Sequence, residues 1–413
     1  MQLMSLLLFS MIMSNSVAIV FFEGYLSVSP TIINIAESLS EKGCRVEIFT
    51  RTIHSGFPPY NPGNTNIRVT YLSSKLSLSE RIQNRFLLKT KKQLRSLLPV
   101  EKEVIRFEKF CVQRLKKSRF NAIIAVDAIG ASICEKTTIS NKIYLSLEIS
   151  FFDNYKRTNF SEKIKEQEIR FHKSCKFSII QDQQRWKLLC IENGIPSENT
   201  NVYFLPNAPR GEAKTRSNEE FFLHEKFQLP RDRFIVLSAG MISPATHSLE
   251  LLQQAKKNDN YTLIFHSRNS DDSKTPYFQS LKMENAMNVC FSLDPVKYQD
   301  LEALLSSAHI GVAIYNDSYG DNFSNILYAS GKLSQYLKLG IPIIVNDLPG
   351  MSDFIEKTKC GQLVKNLEDF NAAVETIRAD YEKYSRAAKA AFDEHFSFDR
   401  YFQPIGQEIA RMG

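Results

Sequence analysis

The feature that most constrains this chain is a rhythm. Short, nearly unbroken apolar runs alternate with stretches of helical spacing. The runs are "VAIVFF" (17–22), "RVEIFT" (45–50), "IRVTYL" (67–72), "NAIIAVD" (121–127), "KIYLSLE" (142–148) and "FSIIQ" (177–181). Helices are expected between them, from Thr31 to Lys42 with Gly43 closing it, and over 161–174. A strand apolar on both sides belongs to a parallel sheet covered on both faces. The rhythm stops at "VYFLPNAPRGEAKTRSN" (202–218), which reads as a linker. It then restarts with "FIVLSAG" (234–240), "YTLIFH" (261–266), "NVCFS" (288–292), "HIGVAIY" (309–315), "PIIVN" (342–346) and "GQLV" (361–364). The expectation is an α/β protein of two doubly wound, parallel-sheet, Rossmann-like domains facing a cleft. A length of 413 residues suits that number of domains.

In open parallel sheets ligands bind beyond the carboxyl ends of the strands. The informative residues should therefore be Glu23 and Gly24, Asp127, Glu148, Gly240, His266 and Arg268, Asp317 to Asn325, and Asn346. Several function classes fall away. No GxGxxG follows the first strand and no GxxxxGK[ST] occurs, which argues against a nicotinamide oxidoreductase and a P-loop enzyme. The seven cysteines form no CxxC pair, and the seven histidines are scattered, so reduced thiols and no metal are expected.

The net charge of +7 is local in origin. Between Arg81 and Arg119 stand 13 Lys/Arg against 3 Asp/Glu, a balance of +10, interleaved with Phe and Leu. The pattern is a pair of basic amphipathic helices broken near Pro99. Peripheral contact with an anionic membrane and a plain solvated face explain it equally well. No nucleic-acid motif accompanies it. Residues 1–22 carry no charge, hence no basic signal-peptide region. A short apolar arm before the first strand is expected, with membrane contact by its first 13 residues left open.

One stretch raises a chemical question. "YASGKLSQYLKLGIPIIVN" (328–346) runs from a helix into a strand, with Ser330, Gly331 and Lys332 at the helix start. The positive end of the helix dipole lies there and disfavours a cation unless an anion sits opposite. A phosphate is the natural occupant.

These residues carry a resemblance. The chain resembles the GT-B glycosyltransferases, specifically glycosyltransferase family 4 (glycosyl transferases group 1), over nearly its whole length from Val17. "SEKGCRVEIFTR", "IIQDQQRWKLL" (179–189) and "VYFLPNAP" (202–209) are similar to that family's N-terminal domain. "SGKLSQYLKLGIPIIV" is similar to its donor-binding segment, K-L-x-E-Y-x-x-x-G-x-P. The resemblance implies an apolar arm over 1–15, an acceptor-side domain over 16–205 and a nucleotide-sugar-binding domain over 206–395. A final helix over 396–413 would pack back on the first domain. Lys332, with Ser330 and Gly331, would face the donor diphosphate without a metal or cofactor. Gln335 stands where the family's ribose-binding glutamate would be. Leu327 stands where the first glutamate would be, and the loop "AGMISPATHS" lacks the family's Arg and Lys.

Further donor-side candidates are Gly240, His266, Arg268, Gly320 and Asn322. On the acceptor side Asp127 and Glu148 would orient a hydroxyl or stabilise the oxocarbenium-like centre, with Glu23 and Gly24 nearby. The implied function is a cytoplasmic glycosyltransferase, peripheral at the inner face of the membrane. It would move a sugar from a nucleotide sugar to a glycan or lipid-linked acceptor in polysaccharide synthesis, with retention. Two alternatives stand beside it: a GT-B-fold subunit that binds a nucleotide sugar or a partner without catalysing, and a nucleotide-sugar epimerase.

Overall fold

The structure, a computed structural model, describes residues 15–52, 59–73, 98–151, 158–198, 201–215, 220–268, 270–294, 296 and 300–413. The described residues up to Leu205, together with Tyr401–Gly413, form one compact unit, and Pro206–Arg400 form a second. The apolar arm before Asn15 and the basic positions from Arg81 to Arg95 lie outside the described residues.

The first unit holds seven strands, β1 (Ser16–Val20), β2 (Arg45–Arg51), β3 (Ile67–Leu72), β4 (Ala122–Val126), β5 (Asn141–Leu145), β6 (Phe177–Ile180) and β7 (Val202–Phe204). All pair in parallel, in the order β3-β2-β1-β4-β5-β6-β7. The second unit repeats the scheme with β8 (Ile235–Ala239), β9 (Thr262–His266), β10 (Val289–Ser292), β11 (Ile310–Ala313), β12 (Ile343–Asn346) and β13 (Gly361–Val364). Their order is β10-β9-β8-β11-β12-β13, again all parallel. β1, β4, β8 and β11 are buried at every residue, as a sheet with helices on both faces requires. In each unit the winding reverses at the centre, between β1 and β4 and between β8 and β11. That switch point is where such sheets take ligands.

Two expectations change, and a third is sharpened. The stretch 202–218 is not linker throughout: Val202–Phe204 pairs with β6, and the Leu205 amide donates to the Ile180 carbonyl at 2.8 Å. It lies at the edge of the sheet with all three side chains half-buried, and its shortness, with Pro206 and Asn207 close behind, hid it in the sequence. The first strand ends at Val20, although the Phe21 amide still donates to the Phe49 carbonyl at 2.9 Å and Phe21 and Phe22 stay buried. Of the two basic helices expected, the second falls among the described residues and spans Pro99–Leu115. Its Val104, Phe107, Phe110, Cys111 and Leu115 are packed into the core of the first unit. The apolar stripe is therefore already covered, and Lys102, Lys109, Arg114, Lys116 and Lys117 face solvent. Among the described residues no helix is long and apolar enough to cross a membrane.

Candidate functional site

The helix Gly331–Lys338 starts at the switch point of the second sheet. Ser330 caps it, its Oγ accepting from the Leu333 amide at 3.3 Å. Lys332 follows in the first turn. Its Nζ lies 4.5 Å from the centre of the Tyr315 ring. Burial pushes the Lys332 ammonium down to about 7. A cation withdrawn from water, on the positive end of a helix, gains from an arriving anion.

What holds this helix is distributed over the unit. The hydroxyl of Tyr336 donates to the Leu237 carbonyl at 3.0 Å and accepts from the Ala239 amide at 2.9 Å, so the helix is pinned to β8. Tyr336 reaches β8 across β11 because position 311 is glycine. A methyl there would stand 2.2 Å from the Tyr336 ring. From the chain entering the unit, Asn207 grips the same helix start. Its amide donates to the Tyr328 carbonyl at 2.8 Å, its Nδ2 donates to the Ala329 carbonyl at 3.2 Å, and its carbonyl accepts from Ser334 Oγ at 2.8 Å. Gly331 lies against the same side chain, where a methyl would come into ordinary contact with Asn207 Nδ2 at 3.4 Å.

The other donor-side candidates occupy the same end of the sheet. Gln335 is half-exposed, one turn beyond Lys332 and on the same helix face. Gly240 follows β8 with φ +115° and is exposed. The loop after β8 meets the loop after β11, where the Asn316 amide donates to the Ala245 carbonyl at 2.9 Å. Gly320, at φ +101°, joins the turn Asp317–Tyr319 to the short helix Asp321–Ser324, which carries half-buried Asn322. Arg268 is half-buried just past β9, a strand separated from β11 by β8, hence about 10 Å away at the strand axes.

His266 is a framework residue rather than an open ligand. It is 1% exposed, bonds Ser292 Oγ through Nδ1 at 3.0 Å, and is pushed down to about 4 by burial and by Arg268 and Lys226. Leu327, in place of a glutamate, is 8% exposed, and a methyl on Gly350 would lie 3.4 Å from it.

The first unit gathers a different set at its own switch point. Asp127 ends β4 and opens the helix Asp127–Cys134 with φ +55°, a left-handed conformation that aspartate tolerates better than most residues. Its Oδ1 accepts from the amides of Leu147 at 2.7 Å and Glu148 at 3.0 Å. Burial pushes its carboxyl up to about 8. The two amides oppose the rise, and the charges of Glu148 and Glu23 add to it. Glu23 accepts from the Tyr25 hydroxyl at 3.3 Å, and Gly24 turns with φ +88°.

Glu148 is exposed and lies 3.7 Å from Nη2 of Arg185, which is fully buried. Arg185 also donates to Gln181 Oε1 at 2.7 Å and to the Leu147 carbonyl at 2.9 Å. The sequence reading overlooked Arg185, Asn207 and Tyr315. An arginine in an amphipathic helix gives no sign that it is buried. Asn207 and Tyr315 did carry a signal, a polar or aromatic residue at a strand's carboxyl end.

Residues 259–396 match the family described as glucosyltransferase 3-like, C-terminal domain. No curated protein matches the sequence. Sucrose-phosphate synthase from Thermosynechococcus elongatus superposes with a TM-score of 0.69 at 12% identity, over 96% of this chain and 99% of that one. A glycosyltransferase from Rickettsia africae gives 0.62 at 13% identity, over 96% and 99%. Anabaena HepE in complex with UDP and glucose gives 0.64 at 12%, over 95% and 99%. The fold is GT-B, and within it residues 259–396 match the glucosyltransferase 3-like C-terminal domain.

Proposed function

We propose that the chain moves a sugar from a nucleoside-diphosphate sugar to a hydroxyl of a glycan or lipid-linked acceptor, with retention of configuration, in polysaccharide synthesis. The observation that carries this reading is Lys332, an ammonium held at the first turn of a capped helix at the switch point of the second sheet. The leaving diphosphate gains negative charge as the glycosidic bond breaks. Lys332 and the free amides of the first helical turn stabilise that charge more than they stabilise the bound donor. No metal is required for this neutralisation. HepE, of the same fold, has been captured with UDP and glucose, which supports a uridine nucleotide as the first donor to try.

Gln335 offers an amide to ribose hydroxyls. Asp127 and Glu148 offer carboxyl groups to the acceptor hydroxyl, and Arg185 orients Glu148. A panel of nucleotide sugars, with and without glycan acceptors, tests the reading through release of nucleoside diphosphate. Release is expected with at least one donor, unaffected by a chelator and lost in Lys332→Ala. No release from any donor, together with no nucleotide binding, would refute it.

A further inference from the structure

Lys332 has a long flexible stem, and binding an anion would ordinarily have to freeze it. Tyr315 removes much of that freedom beforehand. Its own backbone is clamped, because Asn346 Oδ1 accepts from the Tyr315 amide at 3.0 Å and Asn346 Nδ2 donates to its carbonyl at 2.8 Å. Its hydroxyl lies 2.5 Å from Ser330 Oγ, the atom that caps the helix. Its ring carries the Lys332 ammonium at 4.5 Å. Only 7% of Tyr315 is exposed, and burial raises its phenol so that it stays neutral.

A carboxylate could also have held the lysine, but it would compete with a phosphate for the same charge. An aromatic face attracts the cation without spending it. We propose that Tyr315 is the positioning residue of Lys332, fixing the cap serine with its hydroxyl and presenting the ammonium to the diphosphate from its ring face. This role rests on Lys332 being the diphosphate-binding group, as proposed above.

The test is a double-mutant cycle on the full chain, read by calorimetry with UDP in weakly acidic buffer. Tyr315→Leu should weaken UDP about tenfold in the parent and less than about twofold in the Lys332→Ala background. Tyr315→Phe keeps the ring and loses the hydroxyl, so a loss of about fivefold or less is expected. Equal losses from Tyr315→Leu in both backgrounds would overturn the role and leave Tyr315 a merely structural residue. If Tyr315→Leu does not fold, the same cycle with Tyr315→Phe reads the hydroxyl arm, with the same criterion.

If the parent chain binds neither UDP nor pyrophosphate, the functional reading fails separately. The positioning role is then read without ligand, by competitive acetylation of Lys332 against pH. Tyr315→Leu should move the midpoint downward, because the ring's attraction for the ammonium is lost while leucine keeps the surroundings apolar, and Tyr315→Phe should leave it in place. An unchanged midpoint in Tyr315→Leu would overturn the role.

Discussion

The two switch points of this molecule are built alike and charged oppositely. Each sits at the carboxyl ends of central parallel strands, and each opens a helix. In the second unit the helix begins with a lysine pushed down to about 7. In the first it begins with an aspartate pushed up to about 8. One physical cause, withdrawal from water, drives both groups toward neutrality. The surroundings then separate them. Lys332 rests on a neutral ring, which leaves its charge available to an incoming anion. Asp127 has its needs met by two amides and is crowded by Glu23 and Glu148, so a second anion is unwelcome there. On the proposed reading, the Lys332 site takes the diphosphate and the Asp127 site neutral hydroxyls.

The strongest effect should come from the cationic switch point. Lys332→Ala should weaken nucleoside diphosphate binding by about 1.5–3 kcal/mol, the range of a charge-assisted contact. Calorimetry on the folded variant checks it, and unchanged affinity would show that the helix start alone does the binding. Asp127→Ala comes next, at the acidic end. It leaves the Leu147 and Glu148 amides without their acceptor, at a cost of about 1–3 kcal/mol in the stability of the first unit. Asp127→Asn keeps an acceptor oxygen and should melt close to the parent. If the alanine and asparagine variants melt together, the two amides are not what the carboxyl holds.

The pH dependence sharpens the contrast because the signs differ. Asp127 has a folded value raised above its unfolded one, so its contribution to stability is full below the unfolded value. It declines as pH rises toward about 8. Lys332 has a folded value lowered to about 7, so its burial weighs on the fold at low pH. That burden lifts from about neutral pH up to the unfolded lysine range. Denaturation curves against pH should therefore lose their acid-side decline in Asp127→Asn and their alkaline-side rise in Lys332→Met. Swapping those assignments would contradict the burial argument.

Nucleotide binding should weaken above neutral pH and take up a proton there. The proton uptake would appear as a calorimetric heat that varies with the ionisation enthalpy of the buffer. The smallest effect is expected from Gln335→Glu. A carboxylate accepts hydroxyl hydrogen bonds more strongly than an amide, so affinity should hold or tighten by less than about 1 kcal/mol. A large loss without unfolding would mean that the amide N–H₂ group makes the contact.

Much of this was legible from the chain. The apolar runs report parallel strands because a strand buried on both faces has no polar side to show. The start of Gly331–Lys338 was legible because a lysine in a first helical turn violates the dipole rule, and the violation points at a missing anion. Tyr336 and Gly311 were present in the sequence, but nothing in their spacing says that one side chain fills the space the other leaves.

His266 looked like a ligand because it ends a strand. Its immersion beside Ser292 depends on β10 lying alongside β9, which is a matter of strand order. β7 was hidden because three residues make a strand only when a neighbouring ladder is there to receive them.

Residue order was enough to specify two parallel α/β units, the strand ends that carry polar residues, and a helix start that calls for an anion. These follow from local periodicity and from rules that act within one helical turn. Tertiary structure alone decided that Lys332 rests on Tyr315, that Asn207 grips the helix 122 residues further on, and that Arg185 is buried beside Glu148. Such contacts join segments far apart in the chain. Their partners are chosen by strand order and packing, which residue spacing does not encode.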